Sequence, residues 1–322
     1  MHQNPWRKAA RAVGRRAWGM LLVLALVSVL VFVLTRAAAG DPMAVLLGDS
    51  ATEQDILQAR ALYGLDQSLW VQYLYWLGQL LQGNLGQSIF LQIPVTTALW
   101  ERAEPTFWLA LMSLAVAVAI GVPSGMAAAV WRGSWLDQMV SALAMVGTSL
   151  PSFWAGLLLI QLFAVHLGWF PASGYGSPDA LLLERLHHLV LPAIVLGTLN
   201  SALITRFTRA SMLDILGEDY IRTARSKGLP ESRVVLKHAL RNALVPLLTV
   251  VGLTLALLIG GAVVTETVFN LPGLGNLVVR AVLRRDYPVI QGALLVIAGI
   301  YVLINFSVDM LYVLVDPRLR HG

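Results

Sequence analysis

Six long stretches of the chain carry no Asp, Glu, Lys or Arg: Ala17–Thr35, Pro105–Val130, Gln138–Val165, Leu189–Thr205, Ala243–Thr265 and Val289–Val308. A hydrocarbon core of about 30 Å needs about 20 helical residues to cross it, so each stretch predicts a membrane-crossing helix. The fourth is short and contains Pro192, Gly197 and Asn200, so it is expected to extend a little at either end. Set between the fourth and fifth is the most charged segment of the molecule, Gly217–Leu248, "GEDYIRTARSKGLPESRVVLKHALRNALVPLL". The pattern predicts an all-α integral membrane protein with six transmembrane helices.

Composition agrees. Of 322 residues 57% are hydrophobic and 13% charged, and the mean hydropathy is +0.70. A soluble domain carries about 25% charged residues, so this chain is short of polar surface. Cysteine is absent, which removes disulfides, thiolate metal sites and cysteine nucleophiles. The first run has a basic flank, "RKAARAVGRR", and small residues after it, "AAAG" at Ala37–Gly40, as a signal peptide would. Its apolar stretch exceeds a signal h-region of about 7–15 residues, and Arg36 precedes the small residues, so retention as an anchor is expected.

Lys and Arg bias orients membrane segments. The amino tail, Trp131–Asp137, Arg206–Asn242 and the carboxyl tail together hold 16 Lys and Arg, against 7 in Arg36–Glu104, His166–His188 and Glu266–Pro288. Both termini are therefore expected in the cytoplasm, and Arg206–Asn242 becomes a cytoplasmic loop. The expected organisation is a cytoplasmic tail 1–16, a first span 17–35, a periplasmic helical region 36–104, a five-helix core 105–308 with the loops 206–242 and 266–288, and a tail 309–322.

The basic loop reads as two short helices around a stop. Glu218 and Asp219 suit the start of the first helix and Lys227 its end. Gly228 suits a left-handed C′ position, and Pro230 ends one helix and begins the next. Arg233, Lys237 and Arg241 make a basic stripe on the second helix, while Tyr220, Ile221 and Ala224 make an apolar patch on the first. By residue chemistry alone this is either an amphipathic segment lying on anionic headgroups or a knob that docks on a cytoplasmic partner.

The segment "EDYIRTARSKGL…VLKHALRNALVP" resembles the cytoplasmic loop of type I, binding-protein-dependent ABC importer permeases, in the dipeptide, oligopeptide and nickel branch. The wider family pattern is Glu-Ala-Ala, three residues, Gly. Here Arg222-Thr223-Ala224 and Gly228 take those places, and Leu240-Arg241 stands where a Leu-Pro is frequent; both departures are habits of the peptide branch. "GDP" (Gly40–Pro42), "YGLDQSLWVQYLYWL" (Tyr63–Leu77), "GNLGQS" (Gly83–Ser88), "SLPSFWAG" (Ser149–Gly156), "LPAIVLG" (Leu191–Gly197), "TETVFNLPGLGNL" (Thr265–Leu277), "RRDYPVIQG" (Arg284–Gly292) and "DPRLR" (Asp316–Arg320) extend the resemblance nearly end to end. Asn84 departs from the Asp more frequent there.

The resemblance implies a MetI-like permease fold in a multi-pass protein of the bacterial inner membrane. It implies a homologous second permease subunit, two ABC ATPase subunits and a periplasmic binding protein as partners, besides membrane lipid, and no nucleic acid. It makes Glu218, Asp219, Tyr220, Ile221, Arg222, Ala224, Lys227 and Gly228 the coupling segment that meets the ATPase, and Glu266, Asn270, Pro272 and Gly273 a candidate periplasmic gate or binding-protein contact. Short peptides are the implied cargo, with dipeptide permeases the nearest in motif. The short loop 166–188 is nearer nickel and glutathione members in length.

A P-loop needs glycines before a Lys and a following Ser or Thr. The lysines are Lys8, Lys227 and Lys237, and none follows a glycine. ATP and magnesium are thus expected on partner subunits, with no cofactor, catalytic residue or metal on this chain. His187-His188 lacks the further ligands a metal site needs.

Other features are structural expectations. Ser50 and Glu53 have capping-box spacing and Gly64 suits a helix stop. Trp70, Tyr73 and Trp76 share a helical face suited to an aromatic belt or a binding-protein contact. Gly260-Gly261 suits close helix contact, and Asn305 with Asp309 a packing or capping role. An ion-coupled transporter would need titratable groups or broken helices at mid-membrane, and a membrane enzyme a clustered catalytic constellation. The charge-free spans and scattered His residues favour neither.

Overall fold

The computed structural model describes residues 5–37, 42–48, 51–177 and 179–315. In chain order the helices are α1 (Pro5–Ala37), α2 (Pro42–Leu47), α3 (Glu53–Leu62), α4 (Leu69–Leu81), α5 (Val95–Val130), α6 (Trp135–Ser149), α7 (Ser152–Leu159), α8 (Leu182–Leu216), α9 (Asp219–Ser226), α10 (Glu231–Arg233), α11 (Leu240–Val268), α12 (Leu274–Arg284) and α13 (Tyr287–Val315). Wide π turns follow α7 at Ile160–His166 and join α10 to α11 at Val234–Ala239. Most of Ala37–Gly40, Ser50 and the "DPRLR" motif lie outside the described residues, as do Gly40 and Asp41 of "GDP".

Among the described residues five helices are long and apolar enough to cross a membrane: Arg16–Ala37, Val95–Val130, Leu182–Leu216, Glu231–Val268 and Tyr287–Val308. The third apolar run is not the single straight helix its composition predicts. It is a pair, Trp135–Ser149 and Ser152–His166, bent by 99°. Leu150 (φ −78°, ψ 129°) and Pro151 (φ −63°, ψ 129°) are both extended. Proline has no N–H and pushes the residue before it out of the helical region, so the break falls where the sequence puts it.

Other helices outrun their apolar stretches. The fourth run was expected to grow a little, but α8 is 35 residues long and carries Arg206 and Arg209 on helical backbone. α5 begins at Val95 rather than Pro105, with Pro105 and Pro123 inside it. Hydropathy marks where lipid ends. The helices run on past that point, through prolines as well.

The chain divides into two compact units. The first comprises Met1–Glu104 and Pro272–Val302. In it Gln291 Nε2 donates to Thr35 Oγ1 at 3.0 Å, joining α13 to α1. The buried Asp286 carboxylate accepts from Ser88 Oγ at 2.5 Å and from the Ile89 and Phe90 amides at 3.3 Å. Two motifs distant in sequence, "GNLGQS" and "RRDYP", thus meet on one carboxylate. α3 is capped by Thr52, not Ser50: Thr52 Oγ1 accepts from the Asp55 amide, and Asp55 accepts from the Thr52 amide. The Thr52 hydroxyl, donating to Asp55 Oδ2 at 2.6 Å, and then the Thr52 amide hold the Asp55 carboxyl below the usual carboxylate range. Gly64 takes the left-handed conformation (φ +65°) expected of a stop.

The second unit comprises Pro105–Leu271 and Leu303–Gly322. α8 is its axis and packs along α11, α6 and α7. Against α5 the approach is backbone to backbone. A Cβ on Gly125 would meet Thr205 O at 2.5 Å, one on Gly121 would meet Ser201 O at 2.9 Å, and one on Gly197 would meet Ser113 O at 2.6 Å. Gly121 and Gly125 are a small-xxx-small pair, the spacing that lets membrane helices touch closely. Gly260 has open space where its Cβ would be, and Gly261 meets only Leu196 Cδ1 at 3.3 Å. Close helix contact therefore lies at 121, 125 and 197 rather than at the paired glycines.

Candidate functional site

The basic segment folds as the tail of α8, the short helix α9, a turn, and α10 leading through a π turn into α11. Glu218 is the extended N-cap of α9 (φ −70°, ψ 148°), and Lys227 is its C-cap. Gly228 follows at φ +75°, with nothing within 4 Å of where a Cβ would be. The turn therefore requires glycine for its backbone and not for space. Pro230 is the extended cap before α10, one place earlier than its expected role as first helical residue. Arg225 clamps the turn from outside: its Nη2 and Nε donate to Glu231 Oε1 and Oε2 at 2.6 and 3.1 Å.

The amphipathicity is strong. Ile221 is wholly buried and Ala224 nearly so, in a cluster with Ala129, Met212, Val234, Val235, Ala239, Ala243 and Leu247. These two were expected to bury themselves in an ATPase subunit. Instead they fasten α9 to this chain's own α8 and α11, because an apolar face on a short helix finds its nearest cover in the helices that flank it. Glu218, Asp219, Tyr220, Arg222, Lys227 and Gly228 keep exposed positions. Asp219 and Arg222 approach at 3.4 Å, a surface pair of little energetic weight. Tyr220 keeps its hydroxyl near the body of the segment, accepting from Asn242 Nδ2 at 2.8 Å. Arg233, Lys237 and Arg241 are exposed, as a basic stripe should be.

A second polar link joins α6 to α8. Arg209 Nε and Nη2 donate to Asp137 Oδ1 and Oδ2 at 2.6 and 2.8 Å, and the Gly133 amide donates to Oδ2 at 3.0 Å. Asp137 is buried, whereas the Arg209 side chain is about a third exposed. The bidentate geometry is the strong form of such a pair. Sequence reasoning missed it, since Asp137 and Arg209 read only as loop charges.

The outer candidates separate. Glu266, near the end of α11, is completely buried, and Thr106 Oγ1 donates to its Oε1 at 2.6 Å. Its side chain ties α11 to α5 and presents no surface, which corrects the expectation of contact with another protein. Asn270 is exposed with a left-handed backbone (φ +47°). Pro272 is exposed, and Gly273 is the buried, extended cap of α12. Among the described residues no group of three or more His, Asp or Glu could hold a metal ion. Asp309 lies on α13, its side chain outside what is described.

Residues 121–321 match the family described as "Binding-protein-dependent transport system inner membrane component", and residues 10–112 match "Binding-prot-dependent transport system membrane comp, N-term". The chain belongs to the binding-protein-dependent ABC transport permeases. Its relatives include the "Probable peptide ABC transporter permease protein y4tP" of Sinorhizobium fredii, 44% identical over 95% of this chain and 98% of that protein. The "Glutathione transport system permease protein GsiC" of Escherichia coli O6:H1 is also 44% identical, over the same shares. Among solved structures, the inward-facing MetNI methionine ABC transporter gives a TM-score of 0.58 at 22% identity, covering 69% of this permease and 97% of that chain, which establishes a common fold. The protein is thus a membrane-embedded permease subunit of an ABC importer, with a MetI-like fold.

Proposed function

We propose that this permease forms half of a translocation path for short peptides, delivered by an extracytoplasmic binding protein and driven by ATP hydrolysed on partner subunits. The single observation that carries the cargo is the peptide permease relative, similar at 44% identity over 95% of the chain. The glutathione permease relative, at the same identity, favours glutathione as a second reading. Glutathione is itself a small modified peptide, so the two readings ask for related paths.

In this reading both termini and the segment 206–242 lie in the cytoplasm of a bacterial cell, as the Lys and Arg bias supports. The region 36–104 and the loop 266–288 face outward, where Asn270, Pro272 and Gly273 lie near the entrance. A homologous second subunit supplies the other half of the path, and two ATPase subunits bind ATP and magnesium. The exposed residues Glu218, Asp219, Tyr220, Arg222, Lys227 and Gly228 meet an ATPase groove, while Ile221 and Ala224 anchor α9 to α8 and α11. ATP-driven closure then displaces α9, and the shared cluster obliges both long helices to follow. The ligand and the ATPase each bias one two-state equilibrium between inward- and outward-facing forms.

The test is uptake by proteoliposomes holding the permease with its cognate partners and the binding protein. Labelled dipeptides should accumulate only with ATP inside the ATPase compartment, and accumulation should survive an uncoupler. Uptake of glutathione but of no dipeptide would select the second reading. Uptake abolished by the uncoupler and indifferent to ATP would reject both.

A further inference from the structure

Within the first compact unit lies a cavity of about 500 Å³, walled by Arg36 of α1, by α3 and α4, and by Tyr287 and Gln291 of α13. Its chemistry is lopsided. Among the described lining residues Arg36 is the one Lys or Arg, and none is Asp or Glu. The Arg36 guanidinium carbon lies 5.1 Å from the Phe32 ring centre and 4.7 Å from that of Tyr287. Its Nε donates to Gln72 Oε1 at 2.9 Å, yet its Nη1 is buried with no hydrogen-bond partner. Trp76, which lines the same cavity, also has its Nε1 buried without a partner.

Two orphaned N–H donors on residues that line one cavity call for an acceptor, because unmade bonds of buried donors are costly and those of a cation more so. An oxyanion answers best, since a guanidinium binds carboxylate and phosphate oxygens through charge-assisted bonds. Location narrows the source. Arg36 directly follows the apolar run of α1, where a membrane helix meets the headgroup layer. α4 packs along that end of α1: Tyr73 Oη and Ser28 Oγ are 3.1 Å apart, and Tyr73 and Trp76 both contact the Phe32 ring. Ser28 precedes Arg36 by two turns, about 12 Å along the axis, so α4 rides at membrane depth. Its outward Leu69, Trp70, Leu74 and Leu81 are exposed, a surface suited to lipid and not to water.

We propose that this cavity binds the phosphodiester of an anionic phospholipid, with Arg36 and Trp76 donating to its oxygens. A transported peptide fits worse, because its ammonium would find no carboxylate among the described lining residues. The same lack disfavours a zwitterionic headgroup. The bound lipid would wedge α4 against α1 and set the posture of the outer helical region.

The full-length permease, purified into nanodiscs of equal phosphatidylglycerol and phosphatidylethanolamine, is examined by native mass spectrometry as lipid is stripped away. One phosphatidylglycerol should remain on each chain after bulk lipid has left. Arg36→Gln should reduce that retention by about tenfold or more, and Trp76→Phe by about threefold, the losses expected for a charge-assisted and a neutral bond. Trp76→Phe keeps an aromatic ring beside Phe32 and removes the donor, so it carries the test even if Arg36→Gln fails to fold. Equal retention by the wild type and both variants would overturn the proposal. So would displacement of the lipid by millimolar dipeptide, which would give the cavity to cargo, or by millimolar inorganic phosphate, which would make it a site for the free ion.

Discussion

α9 and α4 are both short amphipathic helices laid against longer ones, yet they solve opposite problems. α9 buries Ile221 and Ala224 completely or nearly so and shows charge outward. α4 has no buried residue and leaves Leu69, Trp70, Leu74 and Leu81 exposed. An apolar exterior is costly in water and costless in lipid. The pair therefore suits two different surroundings: an aqueous or protein surface at α9 and, under the lipid proposal above, acyl chains at α4. Amphipathicity alone does not tell inside from outside. Which face is filled does.

The sharpest way to break this contrast is Ile221→Asp. A carboxylate inside the cluster should cost about 3 kcal/mol or more. The permease alone, without ATPase subunits, should then melt far lower or fail to accumulate, as read by size exclusion and thermal unfolding. A variant that folds normally but loses its ATPase would show that Ile221 faces the partner. Arg222→Glu with Lys227→Glu should do the reverse, leaving the melting temperature alone and weakening ATPase capture by about tenfold, because charge at an interface rim sets association and not fold. Equal capture by variant and wild type would free the outer face of α9 from any docking role.

Gly228→Val should cost about 1–2 kcal/mol and Gly228→Asn less, since only the left-handed backbone is at stake. Equal losses would mean that space, not conformation, selects glycine there. On the other helix, Leu74→Lys should lower the melting temperature in nanodiscs by the equivalent of about 1 kcal/mol, well short of a charge at mid-bilayer. No change would put the outer face of α4 in water. Tyr73→Phe is the mildest, losing the contact with Ser28 Oγ for about 0.6 kcal/mol.

Much of this was legible in the residues. The apolar runs located five spans, and the Lys227-Gly228-Leu229-Pro230 order specified the turn before any coordinate did. The break at Pro151 was also written in the chain, but a hydropathy run has no angle, so 99° could not be read from it. The fate of Ile221 was not readable at all: an apolar patch says that it will be covered, and not by whom. Thr52 and Asp55 satisfied the capping-box spacing as well as Ser50 and Glu53, and only geometry chose between them. Gly121 and Gly125 were different, since their spacing was a sufficient signal that the more conspicuous Gly260-Gly261 pair eclipsed. Asp137 with Arg209, and Asp286 with Ser88, needed the fold, because their partners lie far away in sequence.

The length of α8 has a mechanical consequence. Beyond Pro192 the helix runs uninterrupted to Leu216, about 36 Å at 1.5 Å per residue. Taken as a stiff arm pivoting near that proline, a tilt of about 5° moves its far end by about 3 Å. A displacement of that size at the far end arrives at the pivot divided into fractions of an ångström per turn. The arm works equally in the other direction, so a small change in packing around Pro192, where Gly197 meets the Ser113 backbone, is magnified at α9.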